Sequence, residues 1–569
     1  MSLYRDADIK EFDTKLPELV QAAELMTLEK LKPTIKDMWE IIFIVRDFVI
    51  EKRRKIYGGF ALNKLIESVA PEDKFYGDED IKSWDIDFYS PDPVNDAKEI
   101  CNRLYAKNFR YIHTFEAQHE ETYKVFAETV DCADISYVPR NIYNKMPFKE
   151  IGGLHLTGPH FMMIDYFRVL RDPLGSYHRL EKTVVRLGLM DKHFPLPHNT
   201  SALDIVPAES NLDIAFRTVH EFLTNRDTTM VLGVYAYNHY IMESGIQDRN
   251  KNKAGKVDAK VSKESHNLEG GRGRKNRGRD GDRDRDRDGD RDMSSKETDI
   301  KMVPVNYYEV ISTNYKKDAS DLIIKLREKF ADNGKLIIYE ESYPFFQYLG
   351  YSVAIKYEEE IVCKMYHYNN TCLPFHIRPA YYFGDRSAAM LKGADKTAKI
   401  TIGSFPMLML YNLINVMKAR ADNDQHTKNT HYTIISHLIE MRKWYLDKVG
   451  KTNFDDTIFK DFILECRGSM LTPKMEKAIR GEKTFKSGKK TFKYNPDNEK
   501  DRENKFVWRF KNTSGNPIRN ESNRKIDLNL NEFYKETDVE KEIMENDDTE
   551  DLDTESDSTD TIDKNDKAE

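Results

Sequence analysis

No stretch of this sequence is apolar for long enough to cross a bilayer. The best run, residues 41–50, is interrupted by Arg46 and Asp47 and falls far short of the roughly 20 apolar residues that a helical span needs. The N-terminus, MSLYRDADIKEF, lacks the apolar core of a signal peptide. Cysteine is scarce: Cys101, Cys132, Cys363, Cys372 and Cys466 are the five in 569 residues, and none forms a Cys-x-x-Cys pair. An odd, scattered set argues against a disulfide framework and against a cysteine-rich zinc site. The expectation is a soluble protein of a reducing compartment, without a membrane partner.

Charge, by contrast, is abundant: 33% of residues are Asp, Glu, Lys or Arg, and the formal net charge is −8. That sum conceals an asymmetry. Residues 536–569 hold sixteen acids and three bases, which leaves residues 1–535 with a net charge of +5. The body is therefore mildly basic, and an acidic tail hides it. Residues 245–300 include GGRGRKNRGRDGDRDRDRDGDRD, too poor in apolar groups to offset the entropy of ordering, and are expected to be disordered. The expected organisation is an N-terminal segment (1–33), a first domain (34–244), a disordered Arg/Asp/Gly-rich insertion (245–300), a second domain (301–473), a basic C-terminal region (474–535) and an acidic disordered tail (536–569). Within the first domain, helical spacing over 34–55 and 60–69 is followed by period-2 alternation at 84–88. A helix over 93–107, strands near 110–114 and 123–137, and helices over 158–190 and 210–244 complete an α+β pattern. Beyond the insertion, strands are expected at 303–312, 335–340 and 359–368, and helices at 405–419 and 432–449.

Asp85 and Asp87 stand two apart on an expected strand, so their side chains share one face. Adjacent carboxylates repel unless a cation lies between them, and an all-oxygen donor set favours Mg²⁺. An isolated Asp-x-Asp is more often a solvent-facing strand. Here, however, Tyr57-Gly58-Gly59 lies upstream at a helix mouth, where glycines and helix N-terminal amides can approach a triphosphate closely. Downstream, Asp134 sits between apolar neighbours on another strand, with Asp131 a competitor for the same role.

A glycine turn, an Asp-x-Asp strand and a later lone Asp together resemble the DNA polymerase beta-like nucleotidyltransferase superfamily. Within it, IYGGFALNKLI (56–66), WDIDFYS (84–90) and GPHFMMIDYFRVLRDP (158–173) are similar to the poly(A) polymerase catalytic subunits of large nucleocytoplasmic DNA viruses, closer to the mimivirus-like branch than to the poxvirus one. The resemblance implies a polymerase beta-like catalytic domain, a mixed sheet with flanking helices, followed by a second, degenerate nucleotidyltransferase-like domain. It implies addition of a poly(A) tail to the 3′ end of viral mRNA from ATP, with Mg²⁺ or Mn²⁺ held by Asp85, Asp87 and Asp134 in two-metal catalysis. Gly58 and Gly59 would hold the triphosphate, with Arg168, Arg171 or Lys182 beside the phosphates. It also implies work at a cytoplasmic viral replication site or packaging in the virion, with self-association or a separate processivity subunit as partner. Two departures stand out. Gly59 and Asp85 are 26 positions apart, longer than is usual in the superfamily, and the second half has no Gly-Gly turn followed by Asp-x-Asp.

Residues 474–494 carry eight Lys/Arg against two Glu and repeat Lys-Thr-Phe-Lys. Cations interleaved with aromatic rings compose a single-strand binding surface, so Lys483, Phe485, Lys486, Lys489, Lys490, Phe492 and Lys493 are candidate RNA contacts; a solvated basic loop is the competing reading. The segments beginning at Gly158 and Gly403 keep Gly, Met and Tyr at equal spacing, which hints at a duplication as readily as at two similar buried helices. A CCA- or uridylyl-adding enzyme, or an inactive RNA-binding scaffold, remains the alternative function.

Overall fold

The computed structural model describes residues 5–31, 34–77, 85–119, 121–128, 130–199, 201–203, 205, 212–247, 300–330, 336–342, 351–368, 371–383, 397–468, 471–486, 492–503 and 525–526. After the N-terminal helix α1 (Asp6–Leu31), α2 (Ile35–Glu51) begins at a capping box formed between Thr34 and Asp37. Its stripe of Ile41, Val45, Phe48 and Val49 is buried, the spacing of an amphipathic helix laid on a core.

The first sheet is built from β1 (Lys55–Ile56), β2 (Phe88–Ser90), β3 (His113–Glu116), β4 (Thr122–Ala127), β5 (Val130–Tyr137), β6 (Phe148–Ile151) and β7 (Leu154–Thr157). Helix α3 (Gly58–Glu67) follows β1 and α4 (Pro93–Ala106) follows β2. The short α5 (Arg140–Lys145) follows β5, and α6 (Pro159–Arg171) follows β7. The chain continues through α7 (Pro173–Ser176), α8 (Leu180–His193) and α9 (Asp213–Leu223). The second sheet then begins with β8 (Thr229–Val231), which leads into α10 (Gly233–Ser244). Its other strands are β9 (Tyr308–Ser312), β10 (Ile337–Ser342), β11 (Ser352–Tyr357), β12 (Glu360–His367), β13 (Leu373–Pro379), β14 (Lys399–Gly403) and β15 (Cys466–Arg467). Late in the chain, β16 (Lys493–Tyr494) joins the edge of the first sheet and β17 (Lys525–Ile526) the edge of the second.

The two sheets repeat one plan. The first runs β3-β4-β5-β2-β1-β7-β6 and the second β10-β11-β12-β9-β8-β14-β13, so each strand has its counterpart seven strands later. Parallel and antiparallel pairings match throughout, and a bulge interrupts β4–β5 after Val125 as it interrupts β11–β12 after Ile355. Even a local device recurs. Ser90 Oγ donates to Asp96, which also receives Arg54; Ser312 Oγ donates to Asp318, which also receives Arg226. The sequence echo is therefore more than two similar buried helices, but it is offset by one residue. Leu156 and Ile402 are equivalent through their pairing with Ile56 and Val231, which aligns Gly158 with Ser404 rather than with Gly403.

Three expectations need correction. The first domain does not run to 244, because β8 pairs with β9 and β14 of the second sheet and carries α10 with it. The Arg/Asp/Gly-rich tract therefore falls between α10 and β9, the counterpart of the stretch between α3 and β2, rather than between two domains; residues 248–299 lie outside the described residues, as does the acidic tail. The expected strand at 84–88 begins only at Phe88, and Asp85 to Asp87 form its approach. Finally, Cys372 and Cys466 form a disulfide with Cα atoms 5.5 Å apart. They are 94 residues apart in sequence and meet because β13 pairs with β15, a proximity that spacing alone could not reveal. No described helix is long and apolar enough to cross a membrane.

Candidate active site

Ile86 is fully buried and its amide donates to the Cys132 carbonyl. Pinning Ile86 into the core turns Asp85 and Asp87 to the opposite face. There they meet β5: Phe88 pairs with Ile135 in parallel register, which sets Asp87 beside Asp134. The three carboxylates line one cavity of about 250 Å³. Asp87 lies deeper, and burial together with the charges of Asp85 and Asp134 raises its carboxyl well above the usual range. Asp85 stands at the rim, yet the surrounding protein and Asp134 raise it too.

The glycine turn fits against this cluster. The Tyr57 amide donates to the Asp87 carbonyl at 2.8 Å, which draws the end of β1 onto the acid strand. Gly58 then takes φ +75°, and a Cβ there would stand 2.4 Å from Asp87 Oδ2. A Cβ on Gly59 would stand 2.7 Å from Arg186 Nη2 and 2.8 Å from the Tyr76 hydroxyl. Gly58 is thus required by its backbone conformation and its approach to an acid, while Gly59 leaves room for the ends of the Arg186 and Tyr76 side chains.

Facing the acids is a cationic wall. Arg168 on α6, Arg179 just before α8, and Lys182 and Arg186 on α8 all line the cavity, with His119 from the loop after β3. Arg168 is 3.1 Å from Asp165. Burial and the nearby charges of Arg168, Arg179, Arg480 and Lys124 depress the His119 imidazole to about 4, so it is neutral at physiological pH. Sequence reasoning missed Arg179 and Arg186, although with Lys182 they follow a 179/182/186 spacing that places them on one helix face. Lys124 and Tyr76 were missed as well, and they carried no local signal.

Not every expected residue is in the cavity. Arg171 is buried against Met407 Sδ, where α6 meets the helix Phe405–Asp422, and burial lowers its guanidinium to about 10; it packs the two halves together. Phe492 is buried edge-on to Tyr123, so its ring is not available to a base. Lys493 is exposed on β16, and Lys486 is exposed on the helix Pro473–Lys486 and pairs with Glu482 at 3.1 Å. Lys483 and Phe485 belong to that helix, but their side chains lie outside the described set, as do Lys489 and Lys490 entirely.

Lys124 Nζ reaches Asp134 from β4 at 2.8 and 3.0 Å and also contacts Asp131. Among the described residues, no three His, Cys, Asp or Glu side chains converge closely enough to hold a metal as they stand. The donor chemistry nevertheless fits a hard divalent cation: three carboxylates, two from the approach to β2 and one from β5, share a cavity, and their mutual repulsion calls for positive charge.

The second sheet presents an altered copy of this arrangement. The Leu232 amide donates to the Glu309 carbonyl, as Tyr57 does to Asp87, and Gly233 takes φ +59°. Glu309 therefore occupies the place of Asp87 and Tyr307 that of Asp85. Lys364, paired with Glu309, takes the place of Asp134. Glu309 is buried and accepts the Tyr411 and Tyr307 hydroxyls.

Residues 43–176 match the family poly(A) polymerase catalytic subunit, and residues 285–527 match the C-terminal part of the mimivirus poly(A) polymerase catalytic subunit. A protein of Acanthamoeba polyphaga mimivirus described as a poly(A) polymerase catalytic subunit is 31% identical over 517 residues, covering 89% of this chain and 81% of that one. The chain belongs to the poly(A) polymerase catalytic subunit family. African swine fever virus has a relative of the same description, 30% identical over 177 residues, or 29% of this chain and 34% of its own. The crystal structure of the Megavirus polyadenylate synthase matches with a TM-score of 0.68 at 28% identity, covering 93% of this chain and 94% of that one. Both halves of the present fold therefore lie within the family, and the three acids, the two glycines and Arg168 fall within the residues 43–176 that match the catalytic-subunit family.

Proposed function

We propose that this cavity carries out template-independent adenylyl transfer: it adds AMP units from ATP to the 3′ end of an mRNA. The observation that carries the reading is the meeting of Asp85, Asp87 and Asp134 with Gly58 and four cations in one cavity, in a chain of this family. In the reaction, the RNA 3′-hydroxyl oxygen bonds to the α-phosphorus of ATP. The bond from that phosphorus to the bridging oxygen breaks, pyrophosphate leaves, and the hydroxyl proton is released. Divalent ions held by Asp85, Asp87 and Asp134 would activate the hydroxyl and neutralise the leaving oxygen. The α3 amides beyond Gly58 and Gly59 face the phosphates, and Arg168, Arg179, Lys182 and Arg186 balance their charge.

RNA enters along the C-terminal helix Pro473–Lys486 in this reading. Arg480 Nη2 donates to the Gln118 carbonyl at 2.8 Å, beside His119 of the cavity. Lys474 and Lys477 on the same helix are exposed. The second unit is a degenerate nucleotidyltransferase-like copy, supported by its matching strand order and by Tyr307, Glu309 and Lys364 at the three acid positions. Action at a cytoplasmic viral replication site, or in virions, is proposed on the viral relatives alone.

The test is a 5′-labelled oligoribonucleotide incubated with Mg²⁺ or Mn²⁺ and each nucleoside triphosphate separately. Long ladders with ATP alone are expected; extension by CTP or UTP instead would keep the mechanism and overturn the product. For the cationic wall, Arg186→Ala and Lys182→Ala are each expected to raise the KM for ATP by about 10–100-fold, the worth of a hydrogen bond to a charged group. Steady-state kinetics in ATP check this, and an unchanged KM in both variants would remove the wall from nucleotide binding.

A further inference from the structure

Lys124 projects from β4 into the acid cluster, a position that the mechanism above does not use. It pairs directly with Asp134 across the antiparallel ladder, and its ammonium bonds both oxygens of that carboxylate. On a regular strand Asp131 would point to the other face of the sheet from Asp134. The bulge after Val125 removes one step of alternation: Val125 pairs with Ala133, and Phe126 already pairs with Asp131. Cys132 and Ala133 both become buried, and Asp131 joins Asp134 on the cavity face. One ammonium is thereby held between two carboxylates, only one of which belongs to the Asp85/Asp87/Asp134 set.

The second unit provides an internal comparison. It keeps the bulge at the equivalent place, but Ala354 stands where Lys124 does and Ile361 where Asp131 does. The positive charge is built into the third acid position itself, as Lys364. The Lys124–Asp131 pair thus accompanies the copy that retains all three acids. The copy that has lost them carries an ammonium in the place of a carboxylate.

We propose that Lys124 is a built-in counter-cation for Asp134, which the divalent ion displaces, and that Asp131 holds the ammonium once it is displaced. The inference rests on the metal-site reading above. It assigns Lys124 and Asp131 positioning roles: the ammonium offsets the charge of Asp134 alone while no metal is bound, leaving Asp85 and Asp87 uncompensated, and the pair sets how much metal is needed to fill the site.

The test uses the full chain without nucleotide, stripped of metal, with Tm followed as Mg²⁺ or Mn²⁺ is titrated. Wild type is expected to gain thermal stability with metal. In Lys124→Met the metal concentration at half-effect should fall about fivefold, the weight of a partly exposed ion pair. Lys124→Gln keeps a polar head for the two carboxylates and should shift the same way, so a folding defect in one variant does not close the test. Lys124→Arg, which retains the charge, should behave as wild type. A half-effect concentration unchanged or raised in the neutral variants would overturn the counter-cation role while leaving the metal site standing. A wild type whose Tm ignores metal would overturn the metal-site reading, and this inference with it.

Discussion

An Asp87→Asn protein is expected to lose adenylyl transfer by about a thousandfold or more while becoming more stable in metal-free buffer. The two effects have one cause. Asp87 lies within the acid cluster, pressed against Gly58 and beside Asp134, so its negative charge is useful only when a cation joins it. Loss of a metal ligand forfeits several kcal/mol of transition-state stabilisation, and each 1.4 kcal/mol is roughly tenfold in rate. Without metal, the same charge repels Asp85 and Asp134 across a half-buried cavity. Asparagine is nearly isosteric and removes that repulsion, so Tm in EDTA should rise by about 2–4 °C. The pH dependence follows from the direction of the shift. Burial first, then Asp85 and Asp134, raise the Asp87 carboxyl above its unfolded value, so its charged form opposes folding. In EDTA, wild-type stability should therefore fall as pH rises from the ordinary carboxylate range through the raised value, and the fall should be shallower in the variant. Retained activity would remove Asp87 from the metal site; a lowered Tm in EDTA would show that its charge is satisfied by something other than metal.

A comparison of two glycines should be nearly as large. Gly58 and Gly233 occupy equivalent turns with φ +75° and +59°, and in each a Cβ would strike the acid opposite: 2.4 Å from Asp87 Oδ2, and 1.9 Å from Glu309 Oε2. An L-residue in that left-handed region costs about 1–2 kcal/mol before any clash. Gly58→Ala has a further consequence, because the Asp87 carboxylate must move aside, and misplacement by about 1 Å can lower a rate by a hundredfold. Its kcat should fall by about that factor with a modest loss of Tm. Gly233→Ala should show the reverse: a clear loss of Tm, because Glu309 is buried and held by Tyr411, and a kcat near wild type at permissive temperature. Thermal melts and single-turnover extension on both variants decide the matter. A Gly58→Ala enzyme within tenfold of wild type would show that the turn does not fix Asp87 for catalysis.

The acids and glycines that line the cavity were legible in the sequence because each is marked by its immediate neighbours. Ile86 between Asp85 and Asp87, and Ala133 and Ile135 around Asp134, announce one buried and one open face, a property of local alternation. The two glycines open a helix whose apolar spacing is equally local. The helices α2, α4 and Phe405–Asp422 were visible for the same reason.

What the tertiary structure alone decided are matters of register and long-range pairing. Lys124 meets Asp134 across a ladder and Asp131 around a bulge; one more or one fewer residue in β5 would reverse that face. Cys372 finds Cys466 across 94 residues through strand pairing. The repeat of seven strands is nearly silent in the sequence, because a duplicated fold needs only matching burial and hydrogen bonding, and those permit Asp134 to become Lys364. The aromatic residues of the basic C-terminal region show the converse: composition made Phe492 look available to RNA, whereas its pairing segment carries it into the core beside Tyr123. Which residues are polar, apolar or turn-forming is written along the chain; which of them face one another follows from how strands align, and that is settled only when the sheets form.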